Sequence, residues 1–472
     1  MTTDFGFLSI LPPILAILLA IRTKQVIISL AFGLLLGYII IAGGNVFEGS
    51  LLTIERTIDV FANAGNTRTI LFTLLIGSLI QLIKISGGID GFVWQMQKRI
   101  LASKKPKSRL QLAASFTGFL IFIESNISIL TVGTVFQSLF DRFNISRQKL
   151  AYLADSSSAP SCILFPLNAW GAYIIGLLAV YENVSPFQTL LYSIPFNFYP
   201  ILTLILVFYL ATSNKSFGAM KQFDKQDLVT SEEEIVEIES SGKARNMLLP
   251  LGLMIVSMPI FLIYTGWDGS VVGGFGSKVW ASISNASGSS AVFYSVILAL
   301  VFAGISFGIQ RKINLSSFID ESIVGMKDML SMAILMMLAF GIGNLCKELG
   351  TGMYVASITQ SWLSPVLAPA IIFITSCFIA FSTGTSWGTF AIMISIAVPL
   401  AQAIDLNLYM AIAAVLGGGV FGDHCSPISD TTLISSMASG SDHIDHVRTQ
   451  LPYALITGGA AIVMYLIMGL LL

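Results

Sequence analysis

The chain has 472 residues, 55% of them hydrophobic and 11% charged, with 25 basic and 26 acidic residues. A soluble domain carries about a quarter charged residues, so this composition excludes a globule with a water-facing surface. The net charge of −1 identifies no partner by itself and gives no reason to expect a nucleic acid.

Apolar runs of about 20 residues, enough to cross ~30 Å of hydrocarbon as a helix, recur from end to end. The ~10-residue alternation of a membrane β-barrel is not seen. The first run, FLSILPPILAILLAI, follows Asp4 rather than a basic segment and reads as a retained span, not a leader. Spans are predicted at 7–21, 26–43, 69–86, 150–180, 189–211, 247–265, 291–309, 329–346, 408–438 and 451–472. FIDESIVGMKDML, before the span at 329, reads as an interfacial amphipathic helix. The four cysteines, Cys162, Cys346, Cys377 and Cys425, lie in apolar stretches and form no disulfide framework.

The basic residues set the topology. Twenty of the 25 Lys and Arg fall in 22–24, 98–109, 142–149, 215–245, 311–327 and at Arg448. Basic loops stay cytoplasmic, so these segments share one side. Stretch 110–140 lies between two of them and is too short for two crossings. It is predicted to be a re-entrant hairpin with FIESNIS (122–128) at its tip. Stretch 365–403 is followed by AIDLNLY, which carries no Lys or Arg, and is predicted to enter from the opposite side with FSTGTSWGT (381–389) at its tip.

The expected fold is an all-α polytopic membrane protein. It comprises two inverted-topology repeats, each of five spans and one hairpin, with broken helices meeting at the midplane. Residues 1–212 form the first repeat and 246–472 the second. Between them lies a charged cytoplasmic linker, 213–245, acidic over 221–245, and both termini lie outside. IKISGG (83–88) resembles CKELGTG (346–352), aligning Lys84 with Lys347. DSSSAPSCILFP (155–166) resembles DHCSPISDTTL (423–433), aligned around Pro160 and Pro427. Non-helical backbone at membrane depth persists where it lines a cavity or binds something, and such pairs of broken helices mark secondary transporters. Both motifs are predicted helix breaks, since proline removes a donor and serine offers local alternatives.

A carboxylate near the centre of a spanning helix costs about 2.5–3.5 kcal/mol, so Glu124, Asp155, Asp423 and Asp430 need a function that offsets it. Ser156, Ser157, Ser158, Ser426, Ser429 and Thr431 are placed at the breaks, and Asn126, Thr383, Thr385 and Ser386 at the hairpin tips. Such oxygens beside a carboxylate suit a hard monovalent cation, with Asp155, Asp423 and Asp430 as its charged ligands. Asn168 and Trp170 are placed on the far side of the first break. His424 and Cys425, adjacent in sequence, point to different faces of a helix, and His443 and His446 are placed about five turns away. Zinc spacing is therefore missing. Neither a Ser-His-Asp hydrolase nor an intramembrane aspartyl protease would explain a duplicated break. GGG at 417–419 permits close helix approach and is no phosphate loop.

GTSWGTFAIMISIAVPLA (384–401), GGGVFGDHCSPISDTTLISS (417–436), DHVRTQLPYA (445–454) and SRQKLAYLADSSSAP (146–160) together resemble the NhaC-type Na+/H+ antiporter family. The resemblance spans about 70–460. It implies a bacterial inner-membrane carrier with paired hairpins and unwound helices around a central site, and roles for Asp155, Asp423 and Asp430 with their flanking serines. It also implies an aspartate-rich first hairpin tip, where Glu124-Ser125-Asn126 leaves one acid.

The expected activity is exchange of Na+ or Li+ for H+ by alternating access, cation and proton competing for these carboxylates. No cofactor is expected beyond the transported ions. The expected partner is the lipid bilayer, and both a monomer and a homodimer fit the sequence. The alternative is a Na+- or H+-coupled carrier of a small organic anion of the malate or lactate type, or of an amino acid. A channel is the less suited class, because its pore ordinarily lies between subunits.

Overall fold

The computed structural model describes residues 5–23, 25–101, 106–122, 124–181, 184–224, 242–270, 274–359 and 363–471. Every regular element among them is helical. In chain order the first half holds α1 (Leu11–Thr23), α2 (Val26–Ile41), α3 (Val46–Ala62), α4 (Ala64–Ile85) and α5 (Gly88–Leu101). A hairpin of α6 (Pro106–Leu120) and α7 (Ser125–Arg142) follows, then α8 (Arg147–Leu164), α9 (Ala169–Leu178), α10 (Pro186–Ser193), α11 (Phe198–Ser213) and the short α12 (Met220–Phe223). The second half holds α13 (Arg245–Gly266), α14 (Phe275–Ser284), α15 (Gly288–Ile309), α16 (Leu315–Asp328), α17 (Leu330–Leu349) and α18 (Thr351–Thr359). A second hairpin, α19 (Ala368–Thr383) and α20 (Ser386–Ala403), leads to α21 (Leu408–Cys425), α22 (Asp430–Ser439) and α23 (His443–Leu471). Most of the acidic linker, 225–241, lies outside the described residues.

Among the described residues, eight helices are long and apolar enough to cross a bilayer, or ten when each bent pair counts as one span. Each predicted span has a counterpart, as does each hairpin. The span predicted at 189–211 is bent, by 50° at Asn197. Large apolar side chains stand exposed on the outer helices, such as Val256 and Ile260 of α13, Ile305 and Ile309 of α15, and Val463 and Ile467 of α23. A water-soluble chain does not display such a belt. This is an integral membrane protein.

Helix starts follow local chemistry. Asn45, Asn63, Asn168, Asn314 and Asn407 each accept a backbone N–H of the following helix with the side-chain oxygen, satisfying donors that the first turn leaves unpaired. Helix α16, predicted as an interfacial amphipathic element, lies across α4. There Gly77 and Gly325 meet so closely that a Cβ on either would fall on the other's carbonyl oxygen. The Ser78 hydroxyl donates to Ser322 O at 2.8 Å, and Gln81 Nε2 donates to Glu321 Oε2 at 2.7 Å.

The order of elements is duplicated. Two apolar helices, an amphipathic one, a span, a short helix, a hairpin, a broken span and a last span occur as α1–α9 with α11, and again as α13 with α15–α23; α10 and α14 have no counterpart. The halves also grip each other. Helix α22, which follows the second break, packs on α7 of the first hairpin, while α9, which follows the first break, packs on α20 of the second.

Candidate functional site

The second break is built by Ser426-Pro-Ile-Ser429. Ser426 turns extended, φ −76° and ψ 133°, and Ser429 caps α22 by accepting the Thr431 N–H at 3.2 Å. The Ser426 hydroxyl donates to Phe381 O of the second hairpin at 2.7 Å. At that hairpin's tip Gly384 takes φ +70°, and a Cβ there would lie 2.7 Å from Ile428 O. Tip and break thus interlock through backbone.

Asp423, 2% exposed, sits where they meet. Ser386 Oγ, from the tip, donates to its Oδ2 at 2.7 Å, and Ser429 Oγ, from the break, donates to its Oδ1 at 2.6 Å. Thr431 Oγ1 lies 3.0 Å from Ser429 Oγ. Thr383 turns away: its hydroxyl donates to Ile379 O of its own helix at 2.8 Å. Thr385 contributes its carbonyl, which accepts the Thr389 hydroxyl at 3.0 Å.

Asp155 is fully buried on α8. Its Oδ2 accepts from Gln450 Nε2 at 2.8 Å, while among the described residues its Oδ1 accepts no hydrogen bond. The two deep aspartates interact electrostatically with each other and with Asp430. Asp430 opens α22 and is exposed at the rim of the site. Its Oδ1 accepts the Thr431 N–H at 2.9 Å, and Asn126 Nδ2 of the first hairpin tip donates to its Oδ2 at 3.5 Å. Glu124, buried at that tip, caps α7 by accepting the Ile127 N–H at 2.9 Å and lies within electrostatic reach of Asp430. Among the described residues no three His, Cys, Asp or Glu side chains are grouped to hold one metal ion.

A polar network joins the deep carboxylates to other helices. His424 Nε2 lies 2.7 Å from Ser156 Oγ and its Nδ1 lies 2.7 Å from the Tyr199 hydroxyl, which links α21 to α8 and α11. Gln450 of α23 donates to His424 O as well as to Asp155, and its Oε1 accepts from His446 Nε2 at 2.7 Å. His446 Nδ1 is 2.9 Å from Ser436 Oγ, and His443 Nε2 donates to Pro427 O at 2.7 Å.

Residues 161–470 match the model of the Na+/H+ antiporter family. The chain belongs to the Na+/H+ antiporter family. It is thus similar to transporters. An uncharacterized protein of Haemophilus influenzae is 33% identical to this family member over 473 residues, covering 98% of this chain and 90% of its own. The arginine/ornithine antiporter ArcD of Halobacterium salinarum is 29% identical over 26% of each chain. Among solved structures, the Alcanivorax borkumensis YdaH transporter superposes with a TM-score of 0.60 at 13% identity, over 89% of this chain and 88% of that one. At that identity the likeness is one of fold.

Against this geometry, two expectations for the Na+/H+ antiporter family member are corrected. The first break is not at Ser-Ser-Ser-Ala-Pro. Helix α8 runs through Pro160 to Leu164, and Ser156, Ser157 and Ser158 lie inside it, not at a break. Ser157 and Ser158 donate to Leu153 O and Ala154 O of the preceding turn, as hydroxyls inside a helix commonly do. The chain breaks at 165–168, because Pro166 drives Phe165 extended, φ −101° and ψ 109°. There Asn168 Nδ2 donates to Cys162 O, whose usual partner at position 166 has no N–H, and to Phe122 O of the hairpin tip, both at 2.7 Å. Trp170 is buried beside it, with Trp387 and Phe390 of α20 at ring separations of 5.5 and 5.9 Å. Asn168→Ala should destabilise the purified protein by roughly 1–3 kcal/mol, read from its melting curve. An unmoved curve would remove Asn168 from this role.

The second correction concerns the histidines. His443 and His446 were expected about five turns from the break, and they lie against it. Helix α22 ends at Gly440, φ +63°, and the chain folds back into α23. Sequence reasoning also missed Tyr199 and Gln450. For Gln450 the signal was weak: Thr449-Gln450 ends the polar segment HIDHVRTQ (443–450) that precedes the span predicted at 451–472.

Proposed function

We propose that this chain exchanges Na+ or Li+ for H+ across the bacterial inner membrane by alternating access, with Asp423 as the exchanging carboxylate. One observation carries the reading: both Asp423 oxygens accept hydroxyl protons, from Ser386 of the hairpin tip and Ser429 of the break. A hydroxyl has one proton and two lone pairs and rotates freely between them. The same three side chains therefore serve three states. The hydroxyls donate to a bare carboxylate, one accepts from a protonated carboxyl, and both turn their lone pairs to a cation that replaces the proton. Burial disfavours the bare charge and a bound cation favours it, so proton and cation exclude each other.

Asp155, with one unbonded oxygen, is the partner from the other half, and Asp430 with Asn126 stands at the rim. The duplicated element order and reciprocal grip support two repeats, 1–212 and 246–472, inverted relative to each other. The basic segments favour a cytoplasmic linker with both termini outside. A second reading, a Na+- or H+-coupled carrier of an amino acid or small organic anion, is favoured by the likeness to the arginine/ornithine antiporter.

An ion screen in everted vesicles separates the two. A ΔpH dye is followed while Na+, Li+ or K+ is added, with and without arginine, lactate or malate. The first reading expects dequenching with Na+ or Li+ alone. A response that requires the organic solute would replace it with the second.

A further inference from the structure

Gln310, which closes α15, donates from Nε2 to Asn246 Oδ1 in the first turn of α13 at 3.0 Å, so the end of one span meets the start of the other. Beside this bridge a groove of about 350 Å³ runs between the two helices. One half is apolar, formed by Leu249, Phe302 and Ile305. Leu249 and Ile305 are exposed, part of the belt that meets hydrocarbon. The other half is polar, formed by Arg245, Ser306 and Gln310. Arg245 is the first residue of a 22-residue span, which puts it where hydrocarbon gives way to water. Phe302 precedes Gln310 on α15 and lies about 12 Å deeper, at a rise of ~1.5 Å per residue.

The polar half carries positive charge without an answering acid. Among the described residues no side chain pairs with the Arg245 guanidinium. Ser306 Oγ accepts from Gln310 Nε2 at 3.3 Å and keeps its own proton to donate. From Gly242 to Asn314 the sole acidic residue is Asp268, beyond the other end of α13, while Lys243 and Arg311 flank the groove. A phosphodiester suits a guanidinium beside a hydroxyl, and basic pockets between spanning helices take anionic headgroups. A free phosphate or an acidic peptide would leave the apolar half unused, whereas an acyl chain fills it. A zwitterionic lipid brings its own ammonium to a mouth that is already positive. We propose that this groove holds one anionic phospholipid of the phosphatidylglycerol type, its phosphodiester on Arg245 and Ser306 and an acyl chain along Leu249, Ile305 and Phe302. The site is separate from the Asp423 site and does not depend on which ion is exchanged there.

The test is native mass spectrometry of the purified full-length protein in a non-ionic detergent, titrated with dioleoylphosphatidylglycerol or dioleoylphosphatidylcholine. One phosphatidylglycerol should be retained about tenfold more tightly than phosphatidylcholine. Arg245→Gln should erase that preference and Arg245→Lys should restore part of it, whereas Arg22→Gln, an exposed basic residue at the end of α1, should leave it intact. Arg245 is exposed, so the melting curve of Arg245→Gln in phosphatidylcholine should match the parent's, which separates lost lipid from lost fold. Glycerol phosphate at the same concentration should not displace the lipid. Equal retention of the two lipids by the parent chain, or Arg245→Gln retaining phosphatidylglycerol like the parent, overturns the proposal. Displacement by glycerol phosphate overturns it in favour of a phosphate site. Preferential retention that emerges only after Glu232, Glu233 and Glu234 are changed to Gln overturns it in favour of the acidic linker as occupant.

Discussion

Asp423→Asn should reduce Na+-induced dequenching of a ΔpH dye in everted vesicles to background. Asparagine keeps the size of aspartate and can pair with Ser386 and Ser429, because each hydroxyl turns to accept from the new NH2 group. Folding should therefore survive, and the melting curve of the purified variant should stay near that of the parent. What disappears is a group that can be an anion, be protonated, or balance a cation. Asp430→Asn should also lose activity, by a smaller factor, since Asp430 is exposed at the rim whereas Asp423 is enclosed. Full activity in both variants would sink the assignment of these carboxylates.

Gly422→Leu should cost both fold and transport. Gly418 and Gly422, one turn apart on α21, face α19, where backbones approach as small residues allow. A Cβ at Gly418 would lie 2.5 Å from Phe373 O, and one at Gly422 would lie 2.6 Å from Cys377 O. These obstacles are main chain, which cannot step aside as a flexible side chain does. Overpacking costs typically 1–3 kcal/mol, and here the strain separates the second hairpin from the break that it grips at Asp423. The control is Gly252→Ala on α13, where an added Cβ meets nothing within 4 Å. Melting curves and antiport assays should find Gly422→Leu impaired in both and Gly252→Ala in neither. A Gly422→Leu protein that melts like the parent would refute the close-packing argument.

Spans and hairpins were legible because hydropathy and Lys/Arg placement are the quantities that bilayer insertion reads. The run 110–140, too short for two crossings, folds as the hairpin α6–α7. GGG at 417–419 was legible for the same kind of reason, since small residues permit close approach. Other features depend on what proline and glycine do in context. Pro160 and Pro166 look alike in sequence, yet helix α8 continues through the first and the chain breaks at the second. Lateral helices α3, α5, α14 and α18 are too short or too mixed in character to announce themselves as spans. Gly440 marks a turn, but which way the chain then runs is set by tertiary packing. So the return of His446 and Gln450 to Asp155 left little trace in the sequence.

The Asn168 amide has a mechanical consequence. It fastens the tip of the first hairpin to the end of α8, while Tyr173 of α9 donates to Trp387 O of the second hairpin at 3.0 Å and α22 lies against α7. Sliding one hairpin alone would break buried hydrogen bonds with no water to replace them. Both hairpins and both broken spans would have to travel as a single carriage. A cleft of about 350 Å³ separates part of α7 from α4 and α16, so packing is loosest on that side, where such a carriage would meet the least resistance.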